Sequence, residues 1–199
     1  MKHFSVFLVI LTLFSCASAP KKIDKNINLT QHQTQLAQLL NWSIQGRIAI
    51  KTPEERFSAS LHWQQEDKNY QIHLTNIIGT TLMQLEGNDN YAKLTYDDQA
   101  FIDSDPERLL FRITGWRLPV KHLPSLIKGA VPKSGFEHTV SDQGLMQTIK
   151  QLADGDIRNR WEANYVNFTQ EGALFLPENI TLKNASNTIK IRISQWTLN

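Results

Sequence analysis

Between Trp42 and Tyr96 the chain alternates apolar and polar side chains almost without a break. Trp42, Ile44, Gly46, Ile48 and Ile50 alternate with Ser43, Gln45, Arg47 and Ala49. Phe57, Ala59, Leu61 and Trp63 repeat the pattern, as do Tyr70, Ile72 and Leu74, and it continues more loosely through 80–87 and 91–96. A period of two marks strands with one buried and one wet face. Thr52-Pro53-Glu54-Glu55, Glu66-Asp67-Lys68-Asn69 and Gly87-Asn88-Asp89-Asn90 carry turn chemistry, so the strands read as consecutive antiparallel hairpins. Before them, Leu36, Leu39 and Leu40 fall at helical spacing, which predicts a short amphipathic helix over Thr30–Leu40 with Thr30 as its cap.

The middle of the chain changes period. Asp105-Pro106-Glu107 opens a helix, with Asp105 as cap and proline in the first turn. Leu109, Leu110 and Ile113 form its apolar side, and Gly115 ends it. A second helical piece starts near Leu123, carries Leu126 and Ile127, and stops at Gly129. Strands return at Leu145–Leu152, Arg160–Phe168, Asn179–Lys183 and Thr188–Thr197, with Trp161, Ala163, Tyr165, Ile189, Ile191 and Ile193 facing inward. The count is roughly ten strands and about three short helices, a mostly β fold: one large curved antiparallel sheet with helices on its concave face. Periodicity alone does not distinguish a filled core from a hollow one. One turn is unusual. Thr75-Asn76-Ile77-Ile78-Gly79-Thr80 sets two β-branched apolar residues where a loop ordinarily faces water, so it either folds inward or touches a membrane or partner.

The N-terminus changes the picture of where this domain sits. Met1-Lys2-His3 is followed by an apolar run, Phe4–Phe14, of about 11 residues, where a membrane span needs about 20. This reads as a secretory signal over residues 1–15. It ends at Ser15-Cys16, which resembles the lipobox of bacterial lipoproteins. The resemblance implies cleavage before Cys16, a diacylglyceryl thioether on its sulfur and an acylated amine. Two chains already suffice for stable attachment at about 0.8 kcal/mol per buried methylene. Residues 16–29 are small, polar and basic, a tether for a single domain over 30–199. No acidic residue follows Cys16 directly, which resembles the outer-membrane default of lipoprotein sorting.

Composition narrows the chemistry. With 21 Lys+Arg against 19 Asp+Glu the chain carries no strong basic excess, so no nucleic-acid surface is expected. The single cysteine, if acylated, leaves the domain without a disulfide and without a thiol nucleophile. There is no phosphate-binding G-x-x-x-x-G-K-[ST], no H-E-x-x-H and no G-x-S-x-G. His62 and His73 lie on the polar faces of neighbouring strands but lack a nearby carboxylate, a poor zinc site. Asp97-Asp98 reads as a turn and Asp105 as a helix cap, rather than as catalytic acids. No cofactor, metal or enzymatic activity is expected.

Several short pieces in order resemble the LolB family of outer-membrane lipoprotein receptors. They are Trp42 with Gly46-Arg47-Ile48-Ala49, Phe57 leading to Trp63-Gln64-Gln65, Leu74-Thr75-Asn76 with Gly79, and Thr114-Gly115-Trp116-Arg117-Leu118-Pro119-Val120. Trp161 with Tyr165, and Ile189-Lys190-Ile191-Arg192-Ile193 with Trp196, complete the set. The resemblance implies an incomplete, half-open β-barrel with a helical lid. It implies a monomer, anchored through Cys16 and facing the periplasm, that accepts lipoproteins from the periplasmic carrier LolA. Their acyl chains would enter an apolar cavity and pass on into the outer membrane. Strand parity and helix faces nominate Ile48, Phe57, Trp63, Ile72, Leu82, Ile113, Leu123, Leu126, Trp161 and Tyr165 as cavity lining. The family carries an exposed apolar loop residue that enters membrane lipids, and the matching position is Ile78, beside Ile77. The family often has Pro-Leu there, so the missing proline leaves the rigidity of this loop open. Two other classes fit the same anchor and strands: a structural outer-membrane lipoprotein that binds a protein partner over a filled core, and a hydrolase using carboxylates between Asp97 and Asp105.

Overall fold

The computed structural model describes residues 26–152 and 160–199. Cys16 and the signal sequence lie outside them. Eleven strands form one antiparallel sheet: β1 Asn41–Lys51, β2 Arg56–Glu66, β3 Asn69–Thr75, β4 Thr81–Asn88, β5 Tyr91–Tyr96, β6 Gln99–Asp103, β7 Phe136–Val140, β8 Met146–Gln151, β9 Glu162–Glu171, β10 Leu174–Lys183 and β11 Thr188–Leu198. Their spatial order is β6-β5-β4-β3-β2-β1-β11-β10-β9-β8-β7. The first six strands are laid down outward from β1, the last five return to it, and β1 pairs with β11 at the centre. The two short outermost strands, β6 and β7, leave the barrel open. The chain crosses from one to the other through α2 Pro106–Thr114 and the single turn α3 Leu123–Leu126. The lid is therefore the connection across the gap.

Inward parity follows the alternation. Trp42, Ile44, Ile50, Leu61, Trp63, Ile72, Leu74, Ala163, Tyr165, Ile180, Ile189, Ile191 and Ile193 are buried. Trp42 sits between Trp63 and Trp196, with ring centroids 5.1 and 5.5 Å away. Such tilted aromatic contacts add about 0.5–1.5 kcal/mol each beyond area burial. At Gly46 the central pairing needs a glycine, because a Cβ there would lie 2.1 Å from the Arg192 carbonyl oxygen. Among the described residues the apolar core and the side chains packed against it run from Leu29 to Leu198.

Four features differ from expectation. The first helix, α1 Leu29–Gln38, is capped by Asn28 rather than Thr30. The Asn28 side chain accepts from Gln31 N–H, while Thr30 sits one residue inside and accepts the Thr34 hydroxyl at its carbonyl. β6 and β7 are strands that the alternation did not announce, because edge strands bury few side chains. β10 begins at Leu174, not Asn179, since Phe175, Leu176 and Pro177 are all buried and break the two-residue period. β9 runs to Glu171, beyond Phe168. Asp97 and Asp98 do form the β5–β6 turn, both with positive φ, at 52° and 56°.

Candidate functional site

The candidate site is the apolar interior between the sheet and the α2–α3 connection. Trp63, Ile72, Leu123, Leu126, Trp161 and Tyr165 are buried in the one continuous apolar cluster, and Ile48, Phe57, Leu82 and Ile113 pack half-buried against it. Six of the ten thus belong to the interior and four to its margin; on β4 the buried side chains are Met83 and Leu85, and Leu82 falls at the register shift opposite Leu74 and Thr75. Phe57 and Leu82 stand near the start of β2 and of β4, at the end of the sheet where loop 76–80 projects.

The lid is fastened to the sheet at a few polar points. At its start Asp105 caps α2, accepting from the N–H groups of Glu107 and Arg108 at 3.0 and 3.2 Å. Asp103 pairs with the Arg108 guanidinium and lies 3.5 Å from that of Arg112. The hydrogen bond from Arg108 holds the Asp103 carboxyl down at about 2. After α2, the Trp116 indole N–H donates to Glu55 Oε1 at 2.5 Å, and its ring lies 4.8 Å from Phe57. The Tyr165 hydroxyl, wholly buried, donates to the Leu126 carbonyl at 2.8 Å and so ties α3 to β9; burial pushes its phenol far above the usual range.

Beyond α3 the lid is bound to α1. Gln33 Nε2 donates to the Gly129 carbonyl and its Oε1 accepts from Val131 N–H, both at 2.9 Å. The Lys128 ammonium donates to the carbonyls of Leu36 and Leu39 at 2.9 and 2.6 Å, at the C-terminal end of α1, where a cation is favoured. Burial pushes this amine down to about 8. Glu55, Trp116, Lys128 and Gln33 were not nominated from the sequence. A lysine directly after the buried pair Leu126-Ile127 was the one available signal.

Loop 76–80 does not fold inward. Ile77 and Ile78 are 89% and 82% exposed, the two highest values among the exposed large apolar residues. The loop is nonetheless organised. Asn76 Oδ1 accepts from the N–H groups of Ile78 and Thr80 at 3.0 and 2.9 Å, and Gly79 adopts a φ of +88°. An asparagine side chain closes such turns by bonding backbone N–H groups that follow it. His62 and His73 are cross-strand partners with rings 6.5 Å apart on the outer face. Among the described residues no third metal-ligating side chain joins them. No described helix is long and apolar enough to cross a membrane.

The family model for "Outer membrane lipoprotein LolB" matches residues 40–196. An outer-membrane lipoprotein LolB from Shewanella frigidimarina is 31% identical over 98% of this chain and 92% of its own length. One from Shewanella loihica is 33% identical over 95% of this chain and 84% of its own. Among solved structures, a LolA superfamily protein from Nitrosomonas europaea superposes with a TM-score of 0.55 over 87% of this chain and 94% of its own, at 8% identity, a likeness of fold. A single open sheet bridged by short helices, together with this sequence match across nearly its whole length, places the chain in the LolB family of outer membrane lipoproteins.

Proposed function

We propose that this protein is an acceptor of lipoproteins at the outer membrane. It is held there by acyl chains on Cys16, with its domain in the periplasm. It receives cargo from the soluble carrier LolA by taking the cargo's acyl chains under the lid, and it passes them into outer membrane lipids. The observation that supports this reading is the match to the LolB family over residues 40–196, on a fold whose α2–α3 connection covers an apolar interior with Leu109, Leu110, Leu123 and Leu126. Opening requires the release of Trp116 from Glu55, Tyr165 from Leu126, or the 128–131 segment from α1.

Energetics explain why such a receptor works by contact. Three acyl chains contain roughly forty methylenes, and exposing them at about 0.8 kcal/mol each costs roughly 30 kcal/mol. Transfer must run from apolar cavity to apolar cavity to bilayer, with each acceptor binding more tightly than the one before. Ile48, Phe57, Trp63, Ile72, Leu82, Ile113, Leu123, Leu126, Trp161 and Tyr165 are the proposed lining. Ile77 and Ile78 are the proposed point of entry into the lipid leaflet.

The test is uptake of a fluorescent fatty-acyl probe by the domain, with displacement by a triacylated lipoprotein. Uptake and displacement are expected. In Leu126→Asp probe affinity falls by at least tenfold, while the circular dichroism of the sheet is retained. A structural lipoprotein with a filled core takes up no probe, and that result rejects the proposal.

A further inference from the structure

The outer face of the central strands carries a cluster of like charge that the sheet's own pairing does not neutralise. Arg47 on β1 stands directly across from Arg192 on β11, and Lys51 on β1 across from Arg56 on β2. Lys190 stands across from Ala49, one step along the same face. Like charges at directly opposed positions destabilise a sheet, so two such pairs on adjacent strands are a cost without return inside the domain. Among the described residues none of these five cations has a carboxylate within ion-pair distance, whereas Lys68, Lys93, Lys150 and Lys183 each do.

The side chains between the cations are small. Ala49, Ser58 and Ser60 leave a groove of about 450 Å³ on this face, walled by Arg47, Lys190 and Arg192. Asn76 and Ile77 of loop 76–80 line it too. β3 ends opposite Ser60, so loop 76–80 leaves the sheet next to the row that holds Arg47 and Arg192. An exposed apolar tip and an unneutralised cation cluster therefore meet at one groove of the outer face.

We infer that this groove is an electrostatic docking surface for an anionic phospholipid leaflet, in which Arg47, Lys190 and Arg192 engage lipid phosphates while Ile77 and Ile78 enter beneath them. The pairing of chemistries selects the occupant. A free anion has no use for exposed isoleucines, and an apolar peptide has no use for three cations; a lipid headgroup region offers phosphate above hydrocarbon. The inference rests on the proposed entry of loop 76–80 into lipid and adds what that proposal lacks, a force that orients the domain before the loop goes in. Basic side chains near an anionic membrane attract within a Debye length, about 8–10 Å at ordinary salt. The surface thus acts at short range and fixes which face approaches.

The experiment uses residues 16–199 with Cys16→Ala, so that binding does not come from the anchor. Sedimentation with phosphatidylcholine vesicles is compared with sedimentation with the same vesicles containing phosphatidylglycerol. The domain prefers the anionic vesicles, and high salt removes the preference. The triple variant Arg47→Gln/Lys190→Gln/Arg192→Gln loses the preference by on the order of a hundredfold. It still takes up the acyl probe as the parent does. A control with the same charge change, Lys68→Gln/Lys93→Gln/Lys150→Gln, keeps the preference. Equal binding of the parent to both vesicles overturns the inference, as does a triple variant that still selects anionic lipid. A triple variant that binds vesicles normally but no longer receives cargo from the carrier also overturns it, because the face then serves a protein partner. Failure of the parent to take up acyl probe is a separate result and removes the proposed function instead.

Discussion

Tyr165 illustrates how one residue can serve both the core and the lid. Its ring is part of the apolar interior, and its hydroxyl is spent on the Leu126 carbonyl. Tyr165→Phe keeps the ring and removes the tie, while the Leu126 carbonyl keeps its bond from Gly129 N–H. Losing one such hydrogen bond costs about 0.5–1.5 kcal/mol. The expected signature is local: amide exchange in 123–129 speeds up several-fold, to about tenfold at most, while exchange in β1 and β11 stays as before. Uniform acceleration across the sheet would make Tyr165 an ordinary core residue. At this scale the sequence was informative about direction but not about bonding. Alternation identified Trp63, Ile72, Trp161 and Tyr165 as inward. It carries no information on which carbonyl a phenol reaches, because that depends on a helix more than thirty residues away in the chain. Glu55 was illegible for the same reason, and Lys128 offered only its place after an apolar pair, since each is defined by a distant partner.

Among the elements, α2 is the one whose attachment is governed by carboxylates. Asp103 is held by Arg108 and Arg112, and Asp105 caps the first turn. Asp103 has its carboxyl pulled from an ordinary 3.8 to about 2. A depressed carboxyl contributes stability above its unfolded value and loses it as pH falls through its folded one. The contribution is complete above about pH 4 and disappears toward about pH 2. An acid titration followed by Trp116-sensitive fluorescence should show a step in that window, and Asp103→Asn should remove the step and behave at neutral pH as the parent does near pH 2. A step of unchanged size in the variant would place the titrating group elsewhere. The helices and long central strands were legible because capping residues and strict alternation are local signals. β6 and β7 were not, because a strand at a free edge, with one face half wet, has weak alternation, and the first part of β10 is apolar at three successive positions.

For the whole molecule, the relation between ends and faces matters most. The half-buried residues Phe57 and Leu82 stand at the end from which loop 76–80 projects, so the loop lies close to the interior it would empty. Ile78→Glu leaves that interior intact and should leave cargo uptake unchanged. Delivery from this protein to vesicles should fall by tenfold or more, measured as labelled lipoprotein recovered in the lipid fraction. Normal delivery by the variant would remove the loop from the release step. The global arrangement was only partly legible. Alternation and turn spacing implied one antiparallel sheet with helices on its concave face. The pairing of the first long strand with the last, and the role of the helices as the bridge between two free edges, depend on contacts far apart in sequence.

The most direct measurement mixes residues 16–199 carrying Cys16→Ala with LolA that is already loaded with a labelled triacylated lipoprotein, then separates the two proteins and follows the label. Label should move onto this protein, with no nucleotide added, and Leu126→Asp should slow or prevent the movement. Label remaining on a verified, loaded cognate carrier would contradict the account, and would leave the lid and its apolar interior as a fold shared with lipoprotein receptors without their function.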